Sequence, residues 1–367
     1  MTRRNKPQAL YLHVPFCASV CSYCDFARTV YTRDNTDAWL GAAETELHQK
    51  EINPDLKTIY LGGGTPVCLS EEQLERLLTL MDPYRSSVKE YTCEINPEVM
   101  TETKVKLLKD HCVNRVSIGF QTHDPALLKK LGRRHSAEDV FETVKLFRKY
   151  GIDNISLDLM YSLPGQTMDS LQQSVETAVR MDVTHLSLYS LTIEENSVFG
   201  KTGVSNLDEE TEADMYEWIC QTLPQYGYEQ YEISNFAKDG KQSMHNRVYW
   251  EYEDFYGISC GASGKEGNVR YDKPRRLKDY LNDPMQREET VLSTEDERFE
   301  AVMMNLRLKE GMSRSRFEKR FGLSFEEAFR NKYEPLAAKG WLEIRDDLIR
   351  CTPKGYEVLN SVLSELL

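Results

Sequence analysis

Cys17-x3-Cys21-x2-Cys24 crowds three soft thiolates into one short stretch. Thiolates so close in sequence, on a segment able to wrap a metal, suit zinc or an iron–sulfur cluster. A structural zinc site needs a complete ligand set, and no further Cys or His completes one locally, since His13 precedes Pro15 and reads as part of a strand. On a four-iron cluster, three thiolates leave one iron open to another ligand. Gly62-Gly63-Gly64-Thr65-Pro66 is the second signal. Its glycines let a ligand approach backbone amides and carbonyls closely, although a tight strand-to-helix turn would use the same residues. The Gly-Lys-Ser/Thr ending of a nucleotide P-loop is missing. Glu94, Gln121 and Asp158 form a third set, late in successive β-rich runs. Singly each has the type of a cap or turn residue; together they outline a pocket.

Those runs are Leu10–Val14, Thr58–Leu61, Glu90–Ile95, Arg115–Ile118, Ile155–Leu159 and His185–Leu191. Between them lie amphipathic helical patterns at Asp37–Gln49, Glu71–Met81, Glu102–Asp110, Ala137–Tyr150 and Met168–Arg180. Repeated β-then-α units predict an α/β fold with a parallel sheet, either doubly wound or curled into a full or partial barrel, and periodicity alone does not choose. In a barrel-like α/β fold ligands collect at the C-terminal ends of the strands, where the third set would meet the cysteines and glycines. The organisation read from the pattern is a core over 1–195, an irregular aromatic-rich extension over 196–290 and a C-terminal domain over 291–367. In that last part, helices at Glu295–Arg307, Arg314–Phe321 and Phe325–Lys332 precede apolar runs at Trp341–Ile344 and Leu348–Cys351 and a final helix from Pro353, the order of a winged helix. Winged folds often serve only as packing modules.

The chain has 367 residues, 40% of them hydrophobic, which is room for a large α/β domain and a smaller one and excludes a collagen, a coiled coil or wholesale disorder. Lys and Arg number 46 against 59 Asp and Glu, a net charge of −13, so binding of nucleic acid through a basic surface is not expected. The basic stretch Met1–Lys6 is followed by an apolar run too short and broken for a signal peptide. The 9 cysteines are odd in number and scattered, which suits a reducing cytoplasm better than a disulfide framework.

The chain resembles the radical S-adenosylmethionine (SAM) superfamily, and within it the oxygen-independent coproporphyrinogen III oxidase group. The residues carrying the resemblance occur in order: Tyr11, Cys17/Cys21/Cys24, Gly62–Pro66, Glu94, Asn114 to Gln121, Leu131-Gly132-Arg133-Arg134-His135, and Asp158 through Leu163-Pro164-Gly165-Gln166. The resemblance covers nearly the whole chain, including the C-terminal domain, and implies a partial (β/α)6 barrel; for the C-terminal part a helical cap with a small hairpin is the alternative to the winged-helix order. The resemblance further implies a [4Fe-4S] cluster on Cys17, Cys21 and Cys24 whose open iron is chelated by the methionine end of SAM. Carried over, Gly63, Gly64 and Thr65 hold that end, while Tyr11, Glu94, Gln121, Arg133 and Asp158 line the SAM pocket.

Two departures separate the chain from the decarboxylating oxidases. Those enzymes have a further cysteine where Phe26 stands, and a longer segment before the first strand. Both departures match the heme-chaperone branch of the family, as does His245-Asn246-Arg247-Val248-Tyr249-Trp250. Its His245 is the candidate heme ligand, with Tyr249, Trp250, Tyr252 and Phe255 as flat apolar surface, although His245 in a turn and aromatics in a core would read the same way. The function so implied is binding of heme, a cluster and SAM, and transfer of heme to acceptor apoproteins such as membrane-associated cytochromes. An electron donor of flavodoxin or ferredoxin type, peripheral membrane contact during delivery, and a homodimer belong to the same expectation; nucleic acid does not. The alternative is a radical SAM decarboxylase converting coproporphyrinogen III to protoporphyrinogen IX. A third reading, a DNA-binding regulator, would use Arg314, Arg316, Lys319 and Arg320 on a predicted helix, against the net charge.

Overall fold

The computed structural model describes residues 6–367; the rest of the basic N-terminal stretch lies outside the described residues. Six parallel strands form its centre: β1 (Ala9–Val14), β2 (Thr58–Gly63), β3 (Glu90–Ile95), β4 (Arg115–Gln121), β5 (Asn154–Tyr161) and β6 (His185–Ser190). They neighbour one another in sequence order within a 9-stranded sheet. This order decides between the two α/β architectures. A doubly wound sheet needs a point where strand order reverses, whereas right-handed crossovers between consecutive neighbours put every helix on one face and curl the sheet. The fold is a partial barrel, open because both edges of the sheet carry further strands rather than pairing with each other.

The helices on that face are α1 (Arg33–Gln49), α2 (Glu71–Met81), α3 (Glu102–Asp110), α4 (Ala137–Lys149) and α5 (Met168–Arg180). α1 begins earlier than its apolar pattern because the Thr32 hydroxyl caps it, accepting from the Asn35 amide. Ser70 and Gln73 close a capping box at α2. Strand alternation sorts the two faces of the sheet. Leu10, Leu12 and Val14 of β1, Ile59 and Leu61 of β2, and Val116, Ile118 and Phe120 of β4 are buried against the helices. The alternate residues, Tyr11 and His13, Tyr60, Thr92 and Glu94, Ser117, and Asp158, face the lumen. An apolar outer face and a polar lumen make this barrel a container for a polar ligand.

Residues 196–290 extend the sheet on both sides and also supply most of a separate 3-stranded antiparallel sheet, Ser263–Glu266, Val269–Asp272 and Glu288–Val291. Tyr256–Ile258 pairs parallel with β1 as one edge strand, and on the other side Asn235–Ala237 pairs antiparallel with β6 and carries the edge strand Glu229–Gln230. The chain between those edge strands includes a helix, Met244–Trp250, packed against the start of β2. The C-terminal part has its own core around Val302, Phe317, Phe325, Leu336, Ile349 and Val362. Its order of helix (Thr294–Asn305), strand (Met312–Ser313), two helices and a hairpin (Leu342–Arg345 with Leu348–Cys351) is that of a winged helix. The final helix is broken at Val358 into Pro353–Glu357 and Leu359–Leu366.

Candidate cluster and nucleotide site

The cysteine loop is closed at its base and docked at its tip. The Thr29 and Tyr31 amides donate to the carbonyls of Pro15 (2.6 Å) and Cys17 (3.0 Å), tying the ends of the loop as a short parallel pair. At the tip, the Ser22 amide donates to the Leu131 carbonyl at 3.0 Å, and the Ser22 carbonyl accepts from the Phe199 amide at 2.9 Å. Phe26, where the oxidases have a further cysteine, is 63% exposed and ligates nothing. Burial pushes the Cys17 thiol up to about 12 and raises that of Cys24. The thiolates a cluster requires are therefore stabilised only when iron supplies the compensating charge.

The glycine loop lies directly on this segment. Amides of Gly64 and Thr65 donate to the carbonyls of Val14 (2.8 Å) and Phe16 (2.7 Å). A Cβ on Gly64 would stand 2.4 Å from the Phe16 carbonyl oxygen, and one on Gly63, whose φ is +105°, would strike the His13 ring at 2.4 Å. Only glycine permits both approaches.

Across the lumen, Glu94 accepts from the Tyr60 hydroxyl at 2.9 Å and from the Gly63 amide at 3.0 Å. Burial, with the Asp158 charge adding to it, nevertheless pushes the Glu94 carboxyl up to about 7. Asp158 accepts from the Ser117 hydroxyl at 2.9 Å, and burial raises its carboxyl too. Two half-buried acids facing one lumen favour a cationic or hydroxyl-rich occupant. The Thr92 hydroxyl beside them is buried without a hydrogen-bond partner. Arg133 reaches the site from the loop after the helix Pro125–Lys130, donating to Asn96 Oδ1 at 2.8 Å and the Gly119 carbonyl at 3.1 Å, with Cys21 Sγ at 3.8 Å. A register shift between Gly119 and Gln121 puts Gln121 at φ +62°, and its amide folds back over Gly119 beside the Arg133 guanidinium.

Tyr11, Gly63, Gly64, Thr65, Glu94, Gln121, Arg133 and Asp158 thus meet around one lumen with the cysteine loop at its rim. Sequence reasoning missed Tyr60, Asn96 and Ser117, which hold Glu94, Arg133 and Asp158. Tyr60 is the register partner of Tyr11 on β1, so strand alternation was the signal that pointed to it.

His245 lies behind the lumen wall, its ring against Tyr60 with centroids 5.1 Å apart. It is wholly buried, with Nδ1 on the Thr58 hydroxyl and Nε2 on the Tyr249 hydroxyl, each at 2.8 Å. Burial lowers its pKa to about 3, so the ring is neutral. The amides of Met244 and His245 both donate to Glu90 at 2.9 Å, fixing this helix N-terminus at the start of β3. Both ring nitrogens are hydrogen-bonded inside the packing.

Beside β1 a cavity of about 590 Å³ opens, walled by Tyr249, Trp250, Tyr252, Phe255 and Tyr271. Its inner wall is Tyr11 and His13, whose other neighbours are Gly63 and Glu94, so cavity and lumen share a partition. Arg270 and Arg275 stand at its rim, their side chains 52% and 65% exposed.

This fold and site define a radical SAM protein: the radical SAM superfamily profile matches residues 11–178, and the HemN C-terminal domain profile matches residues 292–358. Membership implies a [4Fe-4S] cluster and SAM, and the half-buried thiols, the glycine cradle and the paired acids fit both. The heme chaperone HemW of Lactococcus lactis subsp. lactis is 39% identical over 371 residues, covering 99% of this chain and 98% of that protein. The heme chaperones HemW of Bacillus subtilis and Escherichia coli are 37% and 33% identical, each over 98% of this chain and 99% and 98% of their own lengths. The chain belongs to the HemW family. The solved coproporphyrinogen III oxidase of Escherichia coli superposes with a TM-score of 0.85 at 21% identity, over 100% of this chain and 91% of that one, and shares the fold.

Proposed function

We propose that this protein binds heme in the cavity beside β1, keeps a [4Fe-4S] cluster and SAM in the adjoining lumen, and delivers the heme to acceptor apoproteins. The observation that carries the reading is the cavity: an aromatic-walled space of about 590 Å³ with two arginines at its rim, one partition away from the cluster site. Flat aromatic walls suit a macrocycle, and guanidinium groups suit its propionates. Cys17, Cys21 and Cys24 would hold the cluster; Gly63, Gly64 and Thr65 the methionine end of SAM; and Tyr11, Glu94, Gln121, Arg133 and Asp158 the rest of it. When reduced, such a cluster supplies an electron for SAM cleavage. The chain's own residues bury the sulfonium, orient it and exclude water. No described helix is long and apolar enough to cross a membrane. Acceptors of membrane-cytochrome type, an electron donor of flavodoxin or ferredoxin type, a cytoplasmic site of action and a homodimer complete the proposal.

The shared partition also suits the alternative, decarboxylation of coproporphyrinogen, because it brings a cavity-bound tetrapyrrole close to SAM. One anaerobic experiment separates the two. Heme-loaded, cluster-reconstituted protein is mixed with an apocytochrome and, in parallel, heme-free protein with coproporphyrinogen and reductant. Heme appearing in the cytochrome without vinyl product from the porphyrinogen supports the chaperone; vinyl product with heme retained overturns it.

A further inference from the structure

The iron of a heme in this cavity needs an axial ligand; His245 does not line the cavity, and both its ring nitrogens are hydrogen-bonded to Thr58 and Tyr249. We propose that a thioether of the Met303–Met304 pair, from the C-terminal domain, ligates it; the inference rests on the reading that heme occupies the cavity. The argument runs through the donor atoms that line the space. His13 accepts at Nδ1 from the Tyr11 hydroxyl (2.9 Å) and donates from Nε2 to the Ala27 carbonyl (2.8 Å). Hydroxyls of Tyr249, Tyr252 and Tyr271 are held by His245, Glu300 and the Gly257 backbone. The Lys265 ammonium is paired with Asp254 at 2.7 Å. The carboxylates of Glu253, Glu300 and Asp272 are taken by Arg316, Arg270 and Ser263. Among the described lining residues, the iron-binding donors with no polar partner are the Met303 and Met304 sulfurs, half-buried on the helix Thr294–Asn305.

Two further observations agree. Trp250 Nε1 on the same wall is buried with no hydrogen-bond partner, a donor that a bound ligand would satisfy. The helix bearing the methionines belongs to the C-terminal domain, joined to the barrel here through Arg270–Glu300 at 3.1 Å and the Tyr252 hydroxyl on Glu300 at 2.6 Å. A thioether is a soft, neutral ligand that favours ferrous over ferric heme. Carried on a domain docked by polar contacts, it would let the iron go when that domain moves, which a chaperone that must release its cargo requires.

The test is an anaerobic heme titration of the full, cluster-reconstituted chain in both iron states. Wild type is run beside Met303→Leu, Met304→Leu, the double variant and His245→Gln. Leucine nearly matches methionine in volume, so the folds should persist, as circular dichroism and SAM binding would verify. We expect the thioether-to-iron charge-transfer band of ferric heme in wild type and His245→Gln, its loss in the double variant, and a ferrous dissociation constant raised about tenfold or more there. The single variants identify the ligating sulfur. A band that survives the double substitution, or that disappears with His245, overturns the ligand assignment while leaving heme binding in place. A wild-type chain that shows no saturable heme binding overturns the proposed function, and the ligand with it.

Discussion

Half-buried Glu94 in the lumen and fully buried His245 behind it are both desolvated, and desolvation drives their titrations in opposite directions. The Glu94 carboxyl stands at about 7, above the ordinary value, so its contribution to stability is complete below the ordinary carboxyl range and is lost as pH rises toward 7. Urea unfolding of the cluster-free chain should therefore show Glu94→Gln gaining roughly 3 kcal/mol on wild type between pH 4.5 and 7. On the loaded protein the sign reverses: SAM affinity should strengthen in wild type as pH rises through 7 and be weak and flat in Glu94→Gln, as isothermal titration would read. For His245, lowered to about 3, stability is present above the ordinary histidine value and falls as pH drops toward 3. His245→Ala leaves Thr58 and Tyr249 unpaired and should cost about 2–4 kcal/mol at neutral pH by the same unfolding measurement. The cysteines and Glu94 were legible in the sequence because each sits in a local pattern. The committed ring of His245 was not: Tyr249 is one helical turn away, but its other ring partner, Thr58, and the Glu90 that accepts its backbone amide lie far away in the chain and only the sheet brings them near.

At the level of elements, one glycine and one bulge set the site. Gly64→Ala would drive a methyl group into the Phe16 carbonyl, and that carbonyl belongs to the strand carrying Cys17. The expected outcome is a loss of about 1–3 kcal/mol and a large fall in iron bound after reconstitution, read by visible absorbance and iron analysis. Unchanged cluster content would show that the glycine loop does not brace the cysteine loop. The central strands and their helices were legible from alternation and caps, and their ends needed the structure. β4 runs on from Ile118 to Gln121 through a register shift that no hydrophobic period encodes, and that shift turns Gln121 toward Arg133. The added strands Tyr256–Ile258 and Asn235–Ala237 are short runs without flanking periodicity, and pairing with β1 and β6 is what defines them.

Across the whole molecule, three of the four basic residues in the stretch Arg314, Arg316, Lys319 and Arg320 are turned to internal pairing, and Lys319 stays exposed. Arg314 pairs with Glu326 at 2.5 Å, Arg316 with Glu253 at 2.5 Å, and Arg320 donates to the Tyr252 carbonyl at 2.8 Å. With a net charge of −13 behind them, these groups leave little to neutralise phosphates. Fluorescence anisotropy with labelled duplex DNA should stay flat even at low salt, and a salt-sensitive rise would revive the regulator reading. Winged-helix order was legible in the sequence; the use of that domain as one wall of a cavity was not, because Met303 and Met304 look like any apolar pair on a helix until the barrel is set against them. The most direct test of the account is an anaerobic heme titration of the cluster-reconstituted protein, wild type beside Trp250→Ala, followed in the Soret region. The cavity reading predicts near-stoichiometric saturation in wild type and clearly weaker binding in the variant, whereas a wild-type titration that never saturates would contradict it.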